Sequence, residues 1–177
     1  LSSLNGRKIA VIATNGFEDS ELASPVEAVT NAGAEVSLIS TEAGTIKGKN
    51  GTEEKVDLTS AEANHADFDA LILPGGTSNA DKIRMDGHAV EFVRGIFEAD
   101  KPTGVICHGG WILTDADVLR GRTLTSYASL KTDLTNAGAN WVDEEVHVDN
   151  GLVSSRTPAD LEAFNAAIVE AFQSSND

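Results

Sequence analysis

Three near-continuous apolar runs decide what this chain can fold into. After the opening Lys8, Ile9-Ala10-Val11-Ile12-Ala13 shows no polar alternation, and neither do Ala70-Leu71-Ile72-Leu73 and Gly104-Val105-Ile106. Strands of this kind must be covered on both faces, which is the condition of a parallel sheet between two layers of helices. Helical patterns alternate with them. Leu22, Val26 and Val29 share one stripe that Asn31-Ala32-Gly33 ends before a strand at Glu35–Ile39, and Val90, Val93 and Phe97 share another within Asp86–Glu98. Gly44–Gly51 reads as a loop or small hairpin, and Pro74-Gly75-Gly76 stops the third strand. Downstream, Trp111, Leu113 and Val118 fit a helix, Thr123–Ser126 a strand and Asp133–Ala137 the end of another helix. Asp149-Asn150-Gly151 between Val146-His147-Val148 and Leu152-Val153-Ser154 predicts a hairpin, because Asn-Gly accepts the positive φ of a tight turn. Thr157-Pro158 opens a last helix carrying Leu161, Phe164 and Ile168. The expected architecture is an α/β fold, a flavodoxin-like parallel sheet sandwiched between helices with a small late β-hairpin.

At 177 residues the chain fits one domain over residues 1–177, long enough to bury about two-thirds of its unfolded surface. No linker, repeat or low-complexity segment interrupts it, and only the first few residues and Ser174–Asp177 read as loose tails. A single cysteine forms no intrachain disulfide, and no long apolar run suits a membrane, so a cytoplasmic setting is expected. The Asn50-Gly51-Thr52 sequon is then read as a turn. With 28 acidic against 13 basic residues, the formal charge of −15 opposes binding to nucleic acid and to anionic membranes. The acids are spread along the chain as a solvated shell, which suits a high-salt, halophilic cytoplasm where screening removes self-repulsion.

Sites in such sheets form beyond the carboxyl ends of the strands. Three ends carry chemistry. The first is followed by Asn15-Gly16-Phe17-Glu18-Asp19-Ser20-Glu21, the third by Pro74-Gly75-Gly76 and the fourth by Cys107-His108-Gly109-Gly110. Together they offer carboxylates, open backbone N–H groups and a sulfur, the parts of a nucleophile, an acid/base and an oxyanion hole. Cys107 lies where an apolar run meets a Gly-Gly pair and a helix pattern, which presents a side chain at the sheet edge and favours a thiolate near helix amides; a small buried core residue is the competing reading. Glu18 and Glu21 also suit plain first-turn helix electrostatics, worth about 0.3–1 kcal/mol. Adjacent side chains on a turn diverge, so a Cys107–His108 ion pair does not follow from their adjacency. His65, His88, His108 and His147 are scattered without metal-ligand spacing, and no phosphate-binding glycine motif is present, so neither metal nor cofactor is expected.

Six segments in order resemble the PfpI family of intracellular proteases, within the superfamily that includes glyoxalase III enzymes and the parkinsonism-linked protein deglycase. They are Gly16–Leu22, Leu73-Pro74-Gly75-Gly76-Thr77, Ile106-Cys107-His108-Gly109, Arg120–Tyr127, Asn136–Glu145 and Ser155–Leu161. The resemblance implies that Cys107 is a nucleophile on a strained elbow and that Glu21 lies close to its sulfur as general acid/base, with Glu18 as substitute. A carboxyl beside a thiolate should titrate high, since two anions do not share a dry site cheaply. Gly76 and His108 become oxyanion donors through their backbone N–H groups, and Tyr127 lines the substrate pocket. The protease pattern takes an acid from a neighbouring subunit in the loop after Gly76; here Asp81 would have to replace the usual glutamate. Gly110 stands where the family commonly has proline. His147 and Asp149 form a His-x-Asp similar to that of the glutamine amidotransferases sharing the broader fold, but an alternating strand beside the Asn-Gly turn would display both on an exposed face.

The resemblance therefore implies a cysteine-dependent stress-response enzyme acting on small reactive dicarbonyls or their protein adducts, of glyoxalase III or deglycase type, with Glu21 shuttling the proton. The alternatives are an intracellular cysteine endopeptidase acting on protein substrates and a redox-sensing or chaperone-like protein using the same thiol. Assembly as a homo-oligomer, dimer or hexamer, is expected.

Overall fold

In the computed structural model, which describes residues 3–173, the apolar runs become the centre of one sheet. In chain order the elements are β1 (Lys8–Ile12), α1 (Asp19–Asn31), β2 (Glu35–Ser40), β3 (Thr45–Lys47), β4 (Glu53–Lys55), β5 (Leu58–Thr59), β6 (Ala70–Leu73), α2 (Thr77–Ile83), α3 (Gly87–Glu98), β7 (Thr103–Ile106), α4 (Trp111–Ala116), β8 (Thr123–Leu124), α5 (Lys131–Asn136), β9 (Asn140–Trp141), β10 (Val146–Asp149), β11 (Leu152–Ser155) and α6 (Leu161–Ala171). The main sheet runs β10-β11-β7-β6-β1-β2-β5 and is parallel except for the β10–β11 pair. Alternate residues of each central strand feed opposite cores. Ile9, Val11 and Ile72 pack with Leu22, Val29, Phe164 and Ile168 of α1 and α6, while Ala10, Ile12 and Leu73 pack with Phe92, Val93, Ile96 and Leu113 of α3 and α4. Two covered faces leave no polar position in these strands, which accounts for the runs.

The strand order matters most for the site. β6 lies between β1 and β7, so the segments following Ile12, Leu73 and Ile106 emerge side by side at the carboxyl edge. The β11–β7 register sets Ser155 against Ile106 and thereby brings Thr157 and Pro158 alongside the residue after Ile106. The late hairpin forms as expected: Asn150 and Gly151 have φ of 45° and 82°, and Asp149 pairs with Leu152 across them. The Gly44–Gly51 segment supplies β3 and the turn of the β3–β4 hairpin.

Several expectations change. Thr77–Lys82, read as loop, is helical in α2, where Ala80 and Ile83 are buried three apart. The strand expected at Thr123–Ser126 is only β8, which pairs with β9 outside the main sheet; beyond it the Thr125 N–H goes to Ser154 Oγ at 3.0 Å. At the start of the chain Leu4 is fully buried, with its N–H on Ala32 O at 2.8 Å, so a loose tail does not extend that far. The expectations for Leu1, Ser2 and Ser174–Asp177 lie outside the described residues. Among the described residues no helix is long and apolar enough to cross a membrane.

Candidate active site

β7 ends in an extended Ile106 (φ −134°, ψ 144°), and the next residue, Cys107, has φ of +60° before a 3₁₀ turn over Cys107–Gly110 leads into α4. A non-glycine residue in the left-handed region costs energy and persists only where its surroundings dictate it. Here the following turn does so. Gly109 passes so close to the backbone of Leu73 and Pro74 that a Cβ would lie 3.0 Å from Pro74 O and nearer still to Leu73 O. The sulfur is half-buried, and the backbone N–H groups of His108 and Gly76 are near enough to favour its anion. Gly76 itself has φ of +96°, and a Cβ there would sit 2.6 Å from Glu18 N.

The carboxyls come from the start of α1. Glu18 occupies its N-cap, with its N–H on Gly75 O at 3.1 Å. Glu21, one turn on, is fully buried; Oε1 accepts from Gly75 N at 2.9 Å, and Oε2 has no nitrogen or oxygen partner. Burial first, and the Glu18 carboxylate second, push the Glu21 carboxyl up to about 7, whereas the Gly75 N–H and Lys49 act the other way. Burial, and then the Glu21 charge, push the Cys107 thiol up to about 12. The amides of His108 and Gly76 favour the thiolate, as the sequence suggested, but removal from water outweighs them. Both shifts have one cause, two acids in a dry site, so the pair holds at most one negative charge near neutrality.

His108 does reach its neighbour. Its Nδ1 lies 3.4 Å from Cys107 Sγ because the left-handed backbone at Cys107 turns both side chains to the same side. The ring stacks on Tyr127 (centroids 4.7 Å apart, planes at 24°) and meets the edge of Trp111 at 5.3 Å. Burial, with Lys49 second, holds its pKa below the usual histidine value, which leaves the imidazole neutral at pH 7. An open cavity of about 390 Å³ exposes these groups, lined by Glu18, Glu21, Lys49, Gly76, Thr77, Cys107, His108, Tyr127, Thr157 and Pro158. Tyr127 thus serves both readings made of it, packed against a ring and open to the cavity.

Cys107, His108, Glu21, Glu18, Gly76 and Tyr127 are brought together. Asp81 is not: it is exposed on α2 and does not line the cavity of its own protomer. His147 and Asp149 sit at the far sheet edge, where His147 pairs with Glu144 at 2.9 Å and Asp149 accepts from Thr123 N at 2.8 Å and Arg122 Nε at 3.2 Å. Two contributors had no signal in the sequence. Lys49, in the turn of the β3–β4 hairpin, reaches Glu18 Oε2 at 2.5 Å. The turn is strapped to α1 by Lys49 N on Phe17 O at 2.9 Å and by Asn50 N and Thr52 N on the Asp19 carboxylate, both at 3.0 Å. Buried Asn79 ties two strand ends together, accepting from Thr14 N at 2.7 Å and donating to Pro74 O at 3.2 Å and Gly75 O at 3.0 Å.

A mostly parallel α/β sandwich with a lone cysteine on a left-handed elbow at a strand end, and a buried carboxyl beside it, defines a class of cysteine-elbow proteins. The comparisons are specific. The family model described as the DJ-1/PfpI family matches residues 7–171. The chain is 48% identical over 160 residues to the "Putative cysteine protease YraA" of Bacillus subtilis, covering 90% of this chain and 94% of that protein. It is 46% identical over 163 residues to the "Deglycase PfpI" of Pyrococcus furiosus, covering 92% and 98%. A crystal structure of a two-domain protein from Anabaena variabilis, containing DJ-1/ThiJ/PfpI-like and ferritin-like domains, superposes with a TM-score of 0.90 at 36% identity, over 93% of this chain and 47% of that one. The chain belongs to the DJ-1/PfpI family.

Proposed function

We propose that this protein is a cofactor-independent, cysteine-dependent enzyme of the glyoxalase III or deglycase type, acting on reactive dicarbonyls or their early adducts as part of a stress response. The observation that carries the reading is the buried Glu21 carboxyl, titrating near neutrality beside Cys107 at the floor of an open cavity. Cys107 Sγ adds to the aldehyde carbon of methylglyoxal, and the thiol proton passes by way of Glu21 to the carbonyl oxygen, which the Gly76 and His108 amides hold. Moving the former aldehyde proton from C1 to C2 oxidises C1 and reduces C2, giving a lactoyl thioester. Water then adds to the thioester carbonyl, the C–S bond breaks, the sulfur regains a proton, and lactate leaves. Lactate release in high salt, compared among wild type, Cys107→Ser and Glu21→Gln, tests the reading. Turnover lost in both variants supports it, and lactate formation unchanged by Cys107→Ser removes it.

The 3.4 Å approach of His108 Nδ1 to Sγ favours a second reading, an intracellular cysteine endopeptidase in which His108 activates Cys107 and Asp81 acts across a subunit interface of a dimer or hexamer. Cleavage of casein by the homogeneous oligomer, lost in Cys107→Ser, is its test. A folded oligomer without proteolysis eliminates it.

A further inference from the structure

The second ring nitrogen of His108 carries information that the mechanism above does not use. Nε2 lies 3.4 Å from Thr77 Oγ1 and 3.4 Å from Ser129 Oγ, two hydroxyls from different parts of the fold, the start of α2 and the 3₁₀ turn Ala128–Leu130. Among the described residues no carboxylate takes this place. A ring nitrogen with a lone pair accepts one hydrogen in its plane, whereas a ring N–H can be shared between two oxygens, and exposed hydroxyls keep their own hydrogens for solvent. The arrangement therefore suits an N–H at Nε2. In a neutral imidazole a hydrogen at Nε2 leaves Nδ1 with the lone pair, and here Nδ1 faces Cys107. Stacking on Tyr127 and the edge contact with Trp111 fix the ring plane, so the hydroxyls select between two tautomers of a ring that is already positioned.

We propose that Ser129 and Thr77 are positioning residues that hold His108 as its Nε2–H tautomer, leaving Nδ1 as the base that moves the C1 proton, in a site assembled from one protomer. This rests on the reading of the protein as a dicarbonyl enzyme. Once Sγ is bonded to C1, that carbon is one covalent bond from an atom 3.4 Å from Nδ1, so its hydrogen lies within reach of the ring while Glu21 occupies the buried side of the sulfur. The C1–H electron pair becomes the second C1–C2 bond as the proton goes to Nδ1, the C2=O π pair moves onto the C2 oxygen, and that oxygen takes the C1 hydroxyl proton as the C1 carbonyl forms. The ring then returns that proton to C2 and ends neutral. Hydroxyls rather than an anion behind the ring keep the imidazolium from being a resting state, which suits a base that holds a proton only in transit. The same feature makes the ring a poor partner for a standing thiolate.

The test reads the tautomer directly by long-range 1H–15N spectra of the 15N-labelled protein, with the four histidines distinguished by a His108→Gln variant. Wild type is expected to show His108 with hydrogen on Nε2 alone. Ser129→Ala/Thr77→Val is expected to mix the two tautomers and to lower kcat for lactate about three- to tenfold with KM held, the range for one lost hydrogen bond. Ser129→Thr in the Thr77→Val background is expected to restore both. If the double variant does not fold, Ser129→Ala alone, at an exposed position, carries the measurement. Hydrogen on Nδ1 in wild type, or an unchanged tautomer and kcat in the hydroxyl variants, overturns the proposal. A tautomer that survives those variants but is lost in Asp81→Asn overturns it too, and gives the ring to a carboxylate of another subunit. If wild type makes no lactate, the proposed reaction fails while the spectra still decide whether the hydroxyls set the ring.

Discussion

Replacing Glu21 by glutamine is expected to stabilise the protein above neutral pH while removing its chemistry. The carboxyl titrates near 4.5 when unfolded and at about 7 in the folded state. A carboxyl whose pKa is raised by folding disfavours the folded state wherever the unfolded chain is ionised, and the penalty is complete above the folded value. At about 1.4 kcal/mol per pH unit, the gap corresponds to about 3 kcal/mol at pH 8 and to nothing below about pH 4.5. Glutamine keeps the acceptor for Gly75 N–H, carries no charge next to the sulfur, and differs little in volume. Part of the gain is spent on orienting the amide, so a net of about 1–3 kcal/mol at pH 8 is expected. His108 works in the opposite direction: its lowered pKa costs stability as pH falls through the ordinary histidine range. It is present in both proteins, so the difference between them isolates Glu21. Urea unfolding of wild type and Glu21→Gln in constant high salt, from pH 5 to 8, measures it. The gap between the two should widen with rising pH and close toward pH 5. A variant less stable than wild type at pH 8, or a gap independent of pH, would refute the assignment of a costly buried carboxyl.

Other perturbations follow from the same geometry. Gly76→Ala places a Cβ 2.6 Å from Glu18 N at a φ of +96°, so it is expected to cost about 1–3 kcal/mol in denaturant unfolding and more than tenfold in lactate turnover. Asn79→Ala orphans Thr14 N–H and the Pro74 carbonyl in a buried position and leaves Gly75 O with the Glu18 N–H alone, with an expected loss of about 2–4 kcal/mol by the same assay. Lys49→Met removes a cation that holds the Glu21 pKa down, so the pH–rate limb belonging to Glu21 should move to higher pH; a limb that stays or moves down contradicts the electrostatics. With 28 acids against 13 bases, dialysis from molar salt into dilute buffer is expected to lower the melting temperature, and a melting temperature indifferent to salt rejects the high-salt adaptation.

What could be read in the sequence followed from local physics. Covered strands must be apolar throughout, an Asn-Gly pair must turn, and a cysteine between a strand and a Gly-Gly pair sits on an elbow. Glu21 was singled out by the family resemblance, because its place in a first helical turn equally suits plain helix electrostatics. The unread parts depend on contacts made at long range. Lys49 comes from a hairpin whose docking rests on Asp19, a residue with no visible job in the sequence. Asn79 and Thr77 lie on α2, whose apolar positions, Ala80 and Ile83, are too few to announce a helix. Ser129 belongs to a single 3₁₀ turn. The approach of His108 to Cys107 stayed open for a different reason: divergence of adjacent side chains assumes ordinary backbone, and Cys107 at φ +60° is not ordinary.

The resting electrostatics also bear on which reaction such a site can accelerate. The Glu18–Lys49 pair cancels, His108 is neutral, and the Cys107–Glu21 pair holds at most one negative charge near pH 7. The amides of Gly76 and His108 meanwhile lie near the sulfur, a weak acceptor while it carries a proton. On the proposed reaction the sulfur becomes bonded to carbon and the developing charge moves to the carbonyl oxygen beside it. The same two donors then face an oxyanion, to which their bonds are far stronger than to a thiol. Donors that are nearly idle in the ground state and engaged in the transition state contribute to rate rather than to binding.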